Sequence, residues 1–222
     1  MSPTDGLVVV VPRGFDQEQI PGILERKRPW IERASARVQA RRAEAPSGSA
    51  TELPKDLVLR CLGAEWRVEY APARAGGAGA KTTVREFPDR RLVVTGDTGD
   101  ERACRAALRR WLVRKARTTL VPRLAVLAYE HGFATGTVSV RAQRTRWASC
   151  SPRGAISLNV KLLFLPPELV DYVLLHELCH TVRPDHSQAF WALLGTHDPD
   201  RKVKRKHMRD AHSFVPLWFG PD

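Results

Sequence analysis

The residues best placed to do chemistry lie in the segment 176–186, where His176, Glu177 and His180 form H-E-x-x-H and His186 follows six positions after His180. On a helix, positions i and i+4 share a face, so His176 and His180 can present two imidazoles to one metal ion. Glu177 lies about 100° around the same helix, where it reaches a water rather than the metal. Zinc accepts neutral imidazole nitrogen, and a catalytic zinc keeps three protein ligands and one open position. His186 stands just beyond the helix breaker Pro184, where the chain can turn back, and is the expected third ligand. Zn2+ held there would lower the pKa of its water and polarise a carbonyl or phosphoryl oxygen, with Glu177 taking the proton and returning it to the leaving group. The expected site is therefore His176, His180 and His186 for the metal and Glu177 for catalysis. Asp185, His197, His207 and His212 also carry ligand atoms, but none has a positional argument.

These residues need a helix and a frame behind it. Pro166-Pro167 opens the helix, with Glu168 and Asp171 in its early turns where the dipole favours acids, and Pro184 stops it. Ser187 is suited to cap a short helix over 188–194 ended by Gly195, and Asp198-Pro199 to open a final basic helix through about Arg209. Upstream, the alternation in 137–142 and 155–160 predicts two strands, read as a hairpin across a turn at 144–154 that leads to the metal helix. Before them, Leu108, Trp111, Leu112, Leu120 and Leu124 recur at helical spacing in a long basic helix starting near Asp97 or Thr98. Pro122 is expected to kink it and Gly132 to end it.

Residues 55–96 read as antiparallel strands, with Gly63-Ala64 as hairpin punctuation and a glycine-rich loop at 74–80. Residues 7–11 predict a strand. A helical pattern from Asp16 to Val38 is divided by Pro21 and Pro29, and a polar linker follows at 43–54. The resulting expectation is a β-rich part with a helix and linker over 1–96 and a catalytic part over 97–222, the two forming one compact unit.

Composition bounds the function. The chain has 222 residues, 36 Lys and Arg against 24 Asp and Glu, and a net charge of +12. Such a charge attracts nucleic acid, nucleotides and other polyanions. No basic run is interleaved with stacking aromatics as single-strand binders require, so the excess reads as spread over solvated faces. The four cysteines form no C-x-x-C pair, which excludes a zinc ribbon and predicts reduced thiols. No apolar run is long enough to cross a bilayer and no secretory signal opens the sequence, so a cytoplasmic protein without membrane association is expected.

Beyond the individual residues, VSVRAQRTRWASCSPRGAISLNVKLLFLPPELVDYVLLHELCHTVRPDHSQAFWALL resembles the YgjP-like metal-dependent hydrolases, which are similar to SprT-type zinc proteases. The family pattern is an R-W-G-S-C turn, an S/N-L-N strand, a Pro-Pro start with Tyr-Val, H-E-L-x-H and N-H-S-x-x-F-W. A weaker match extends to the WIERA helix around Trp30. The resemblance implies a zincin-like α+β fold, zinc on His176, His180 and His186, and catalysis by Glu177. Two positions depart from the pattern. Ala148 replaces the glycine of the turn, which is expected to alter a tight backbone, and Asp185 replaces the asparagine before the third histidine, where a carboxylate would strengthen a ring's donation. Arg146, Trp147 and Asn159 match the pattern without an assignable role. The spacing of the histidines also equals that of the metzincins, but those enzymes have glycine where this chain has Arg183.

The first functional expectation is a zinc metallopeptidase acting on a peptide or protein, aligned by the strand 155–160 or its neighbour. The alternative is a metal-dependent nucleoside triphosphate pyrophosphohydrolase, motivated by the basic charge. A non-catalytic nucleic-acid-binding module with structural zinc comes third, because a structural site has no use for Glu177.

Overall fold

The computed structural model describes residues 9, 11, 14–44, 52–72 and 81–219. Most of the strand expected at 7–11, the middle of the linker and the 74–80 loop lie outside the described residues. The chain divides into two units, residues 1–52 with 220–222 and residues 53–219.

In the first unit Asp16 accepts the Glu18 N–H at 3.0 Å and caps a short 3-10 turn that leads into α1 (Ile20–Glu44). Pro21 falls in the first turn, where the missing N–H is not needed. Pro29, expected to divide the helix, lies inside one continuous helix of 25 residues. An internal proline costs about 3 kcal/mol at its own turn. The Arg-, Glu- and Ala-rich sequence on either side has the intrinsic preference to continue across it.

The second unit holds two sheets. In the first, β1 (Asp56–Leu59), β2 (Ala64–Pro72), β3 (Thr83–Glu86) and β4 (Arg91–Gly96) lie in the order β1-β2-β4-β3. Alternation buries Leu57 and Leu59, Trp66 and Val68, and Leu92 and Val94 on one face. The β1–β2 hairpin turns through Gly63, whose φ of +56° suits glycine. The β1–β2 and β3–β4 ladders are antiparallel as expected, whereas β2 and β4 run parallel. β3 folds onto the far edge of β4, so β4 enters beside β2 in the same direction.

α2 (Glu101–Glu130) covers this sheet. Asp100 caps it by accepting the Ala103 N–H at 3.0 Å, and Gly132 follows its end with φ +70°. Its buried face carries Leu108, Trp111, Leu112, Leu120 and Leu124. Pro122 sits within an unbroken helix of 30 residues for the same reason as Pro29, with tertiary burial on both sides of it. Glu86 joins sheet to helix. It accepts the indole N–H of Trp66 at 3.0 Å and of Trp111 at 3.1 Å, and the Lys115 ammonium at 2.6 Å.

The second sheet differs from the predicted hairpin. β5 (Val138–Arg141), β6 (Ala148–Cys150) and β7 (Ile156–Asn159) lie in the order β5-β7-β6. β5 runs parallel to β7, and the hairpin partner of β7 is β6, in the segment read as a turn. A strand of three residues is too short for its alternation to show. The turn that joins β6 and β7 is closed by the Gly154 N–H on the Ser151 carbonyl at 2.9 Å.

α3 (Pro167–His180) is buried on most sides through Leu169, Val170, Val173, Leu174, Leu175 and Leu178. Arg123 of α2 holds its first turns, donating to both Asp171 oxygens and to the Pro167 carbonyl. α4 (Gln188–His197) is capped by Ser187, as the sequence predicts, and runs past Gly195. The Arg201 guanidinium, the movable tip of a long side chain, lies over Gly195, and the glycine is carried within the helix instead of stopping it. α5 (Arg201–His207) ends two residues short of the expected boundary. The mixture of helices with two separate sheets is the α+β class expected. Among the described residues no helix is long and apolar enough to cross a membrane.

Candidate metal centre

α3 delivers His176 and His180 from adjacent turns, and the chain reverses at 181–185 to bring His186 beside them. His176 Nε2 lies 3.2 Å from His180 Nε2 and 3.0 Å from His186 Nε2. Tetrahedral zinc with bonds of about 2.0–2.1 Å places its nitrogens about 3.3 Å apart, so the donor set fits that ion in type and spacing. These three side chains form the one His, Cys, Asp or Glu cluster of metal-binding size among the described residues.

The rings are prepared to be ligands. His180 Nδ1 is 3.0 Å from the Arg183 carbonyl. A carbonyl can only accept, so Nδ1 carries the hydrogen and Nε2 turns its lone pair inward. Burial, with the other two rings and Arg205 nearby, pushes the His176 pKa down to about 3, and burial lowers that of His186 too, so both favour the neutral form that binds metal. The fully buried Phe190 of α4 stacks on His180 at 4.5 Å and meets His176 and His186 edge-on at 4.9 Å. Trp191 packs against His176 and His186.

Glu177 is 6 % exposed. Burial raises its pKa to about 7, opposed by the nearby Arg146 and by a hydrogen bond from the Cys150 backbone. Both belong to the R-W-A-S-C segment, so β6 reaches the carboxylate through its backbone and the loop before it through the charge of Arg146. Asn159 fixes that loop. Its fully buried amide donates to the carbonyls of Gln143 at 2.9 Å and Arg146 at 2.6 Å, and its oxygen accepts the Lys161 N–H at 3.1 Å. The only signal for these roles in the sequence was the match of Arg146, Cys150 and Asn159 to a family pattern. Trp147 instead stacks on His212, with centroids 4.6 Å apart.

Other expectations are corrected. Ala148 lies in regular strand opposite Leu158, so the glycine it replaces is not required by a left-handed backbone here. Asp185 accepts from the Ser187 hydroxyl at 2.8 Å and the Ser187 N–H at 3.4 Å, which lowers its pKa; it hydrogen-bonds none of the three rings, and of the expected influence only its charge reaches His186. A residue two positions before a helix cap finds the nearest free donors at that cap. His197 lies against His131, with Nδ1 atoms 3.0 Å apart, and neither it, His207 nor His212 joins the triad.

Comparison with known proteins places these residues in context. The model of the YgjP-like family, described as a metallopeptidase domain, matches residues 1–211. A solved structure, the metallopeptidase zymogen abylysin of Pyrococcus abyssi, is 26% identical over 41% of this chain and 92% of its own. Its TM-score of 0.38 is too slight a likeness to establish a shared fold. No curated protein matches the chain.

Proposed function

The chain belongs to the YgjP-like metallopeptidase family, a family of metal-dependent hydrolases, and from that premise we propose a zinc peptidase with His176, His180 and His186 holding the metal and Glu177 as general base. The observation that carries this reading is the convergence of three Nε2 atoms, with the His180 lone pair aimed inward by the Arg183 carbonyl and a buried glutamate next in sequence to His176. Zinc bound there would supply a Lewis acid that brings a water's pKa near neutrality and polarises the peptide carbonyl.

The remaining work falls to side chains and backbone. Glu177 must be ionised to receive a proton. Arg146 and the Cys150 N–H both favour the carboxylate against its burial. A Glu177 oxygen then takes the proton of the attacking water and hands it to the leaving amine nitrogen. An extended substrate needs a strand edge. β7, one of the two expected candidates, is paired on both sides, which leaves β5 and β6 as outer strands, and of these β6 carries the Cys150 N–H that bonds Glu177 and is the edge proposed to add a peptide. Because the Cys150 N–H bonds Glu177, substrate pairing at β6 brings the scissile bond alongside the base. No feature of the centre favours the phosphoanhydride alternative over this one.

The test combines metal analysis with a substrate panel of unfolded proteins, peptides and nucleoside triphosphates. We expect one zinc per chain and cleavage of peptide bonds that stops on chelation and in His176→Ala. Hydrolysis of nucleotides alone would overturn the reading, as would full activity in zinc-free protein.

A further inference from the structure

α5 carries a cluster of positive charge that the chemistry above leaves unused. Lys202, Arg205 and Lys206 are exposed, and Arg205 and Lys206 follow Lys202 at i+3 and i+4 on one face of the helix. Lys204 differs, since its ammonium is bound by both oxygens of the buried Asp198 at 2.8 and 2.9 Å. Arg205 has no carboxylate partner among the described residues. Its guanidinium carbon sits 4.3 Å from the centre of the Trp191 ring. That ring is in turn 5.7 Å from His186 and 6.0 Å from His176.

One indole is therefore shared by an arginine without a carboxylate partner among the described residues and two rings of the histidine triad. An extended peptide advances about 3.3 Å per residue, which brings the side chain of a residue flanking the reacting bond within reach of Arg205. Contact with the indole face limits the conformations of the arginine and leaves its fork of N–H donors free for an anion. A single-stranded nucleic acid would need an open aromatic face for its bases, and here Arg205 and His186 already lie against the indole.

We propose that Arg205, propped on Trp191, binds an acidic side chain of the peptide substrate next to the bond that is cut, and that Lys202 and Lys206 extend the preference to acidic stretches. This rests on the peptidase reading and assigns it a substrate class.

The test uses the zinc-loaded full chain and paired peptides that differ only by Glu against Gln at each position around the cleaved bond. Glutamate at one flanking position should raise kcat/KM, mainly through KM, and the acidic-to-neutral ratio should fall about tenfold in Arg205→Gln. Arg205→Glu should invert the preference toward lysine-containing peptides, a gain that misfolding cannot produce. The same ratios read as binding to the Glu177→Gln protein keep this inference separate from the peptidase reading. A binding ratio that responds to Arg205 supports it even where the wild type cleaves none of the peptides. Ratios near one in the wild type, or unchanged in both Arg205 variants, overturn it. Displacement of the acidic peptide by a single-stranded oligonucleotide that binds more tightly, and equally depends on Arg205, would overturn it in favour of a nucleic-acid surface.

Discussion

Glu86 and Glu177 are two carboxylates of one folded unit with opposite surroundings. Glu86, a third exposed, receives two indole N–H groups and an ammonium. Burial pushes its pKa up, but the bonds from Lys115, Trp66 and Trp111 outweigh that and leave it lowered. Glu177 is almost wholly buried, with Arg146 nearby and one backbone bond from Cys150, and its pKa rises to about 7. The first group has its lone pairs occupied and holds β2, β3 and α2 together. The second keeps acceptor capacity in reserve inside a desolvated site, an arrangement that is costly for stability and useful for moving a proton. A glutamate with many donors reads as structural, and one buried with few reads as reactive.

The sharpest way to break this contrast is Glu177→Gln. We expect turnover to fall about 10²–10⁴-fold with zinc content unchanged and a melting temperature equal to or above that of the wild type. A variant that kept its rate, or lost its zinc, would remove the distinction. Asn159→Ala should register on both sides of it. Losing three buried hydrogen bonds is expected to cost about 1–3 kcal/mol in urea denaturation, and release of the Arg146 loop should lower kcat as well. Glu86→Ala should cost about 1–2 kcal/mol, discounted for exposure, while the rate per folded molecule stays close to wild type. The smallest effect is in pH. Because the folded pKa of Glu86 is lowered, its contribution is complete above the unfolded value of about 4.3 and is lost as pH falls through the folded value. The stability gap between wild type and Glu86→Gln should therefore narrow in acid, measured as urea midpoints at pH 7 and pH 3.

The sequence was most legible where the physics is local. The cap at Ser187, the proline opening of α3, the glycine after α2 and the spacing of the three histidines all depend on neighbours within a few residues. Pro29 and Pro122 were misread because a local cost was weighed without the helix on either side. β6 escaped because three residues display no period, and its pairing with β7 is settled by a ladder rather than by composition. The bonds from Asn159 to Gln143 and Arg146, and from Glu86 to Trp66 and Trp111, join residues that no periodicity connects. Gly195 shows the same limit, since the helix runs on to His197 through a residue whose type alone predicts a stop.

The bond from His180 to the Arg183 carbonyl has a consequence for how this centre can change over generations. Elsewhere a carboxylate side chain often orients such a ring, and one codon change can delete it. Here the acceptor is peptide backbone, which every amino acid carries. Residue 183 is thus free to drift in side chain while the ring keeps its orientation, provided the turn keeps its path. Mutational tolerance at that position is inherited from the main chain itself.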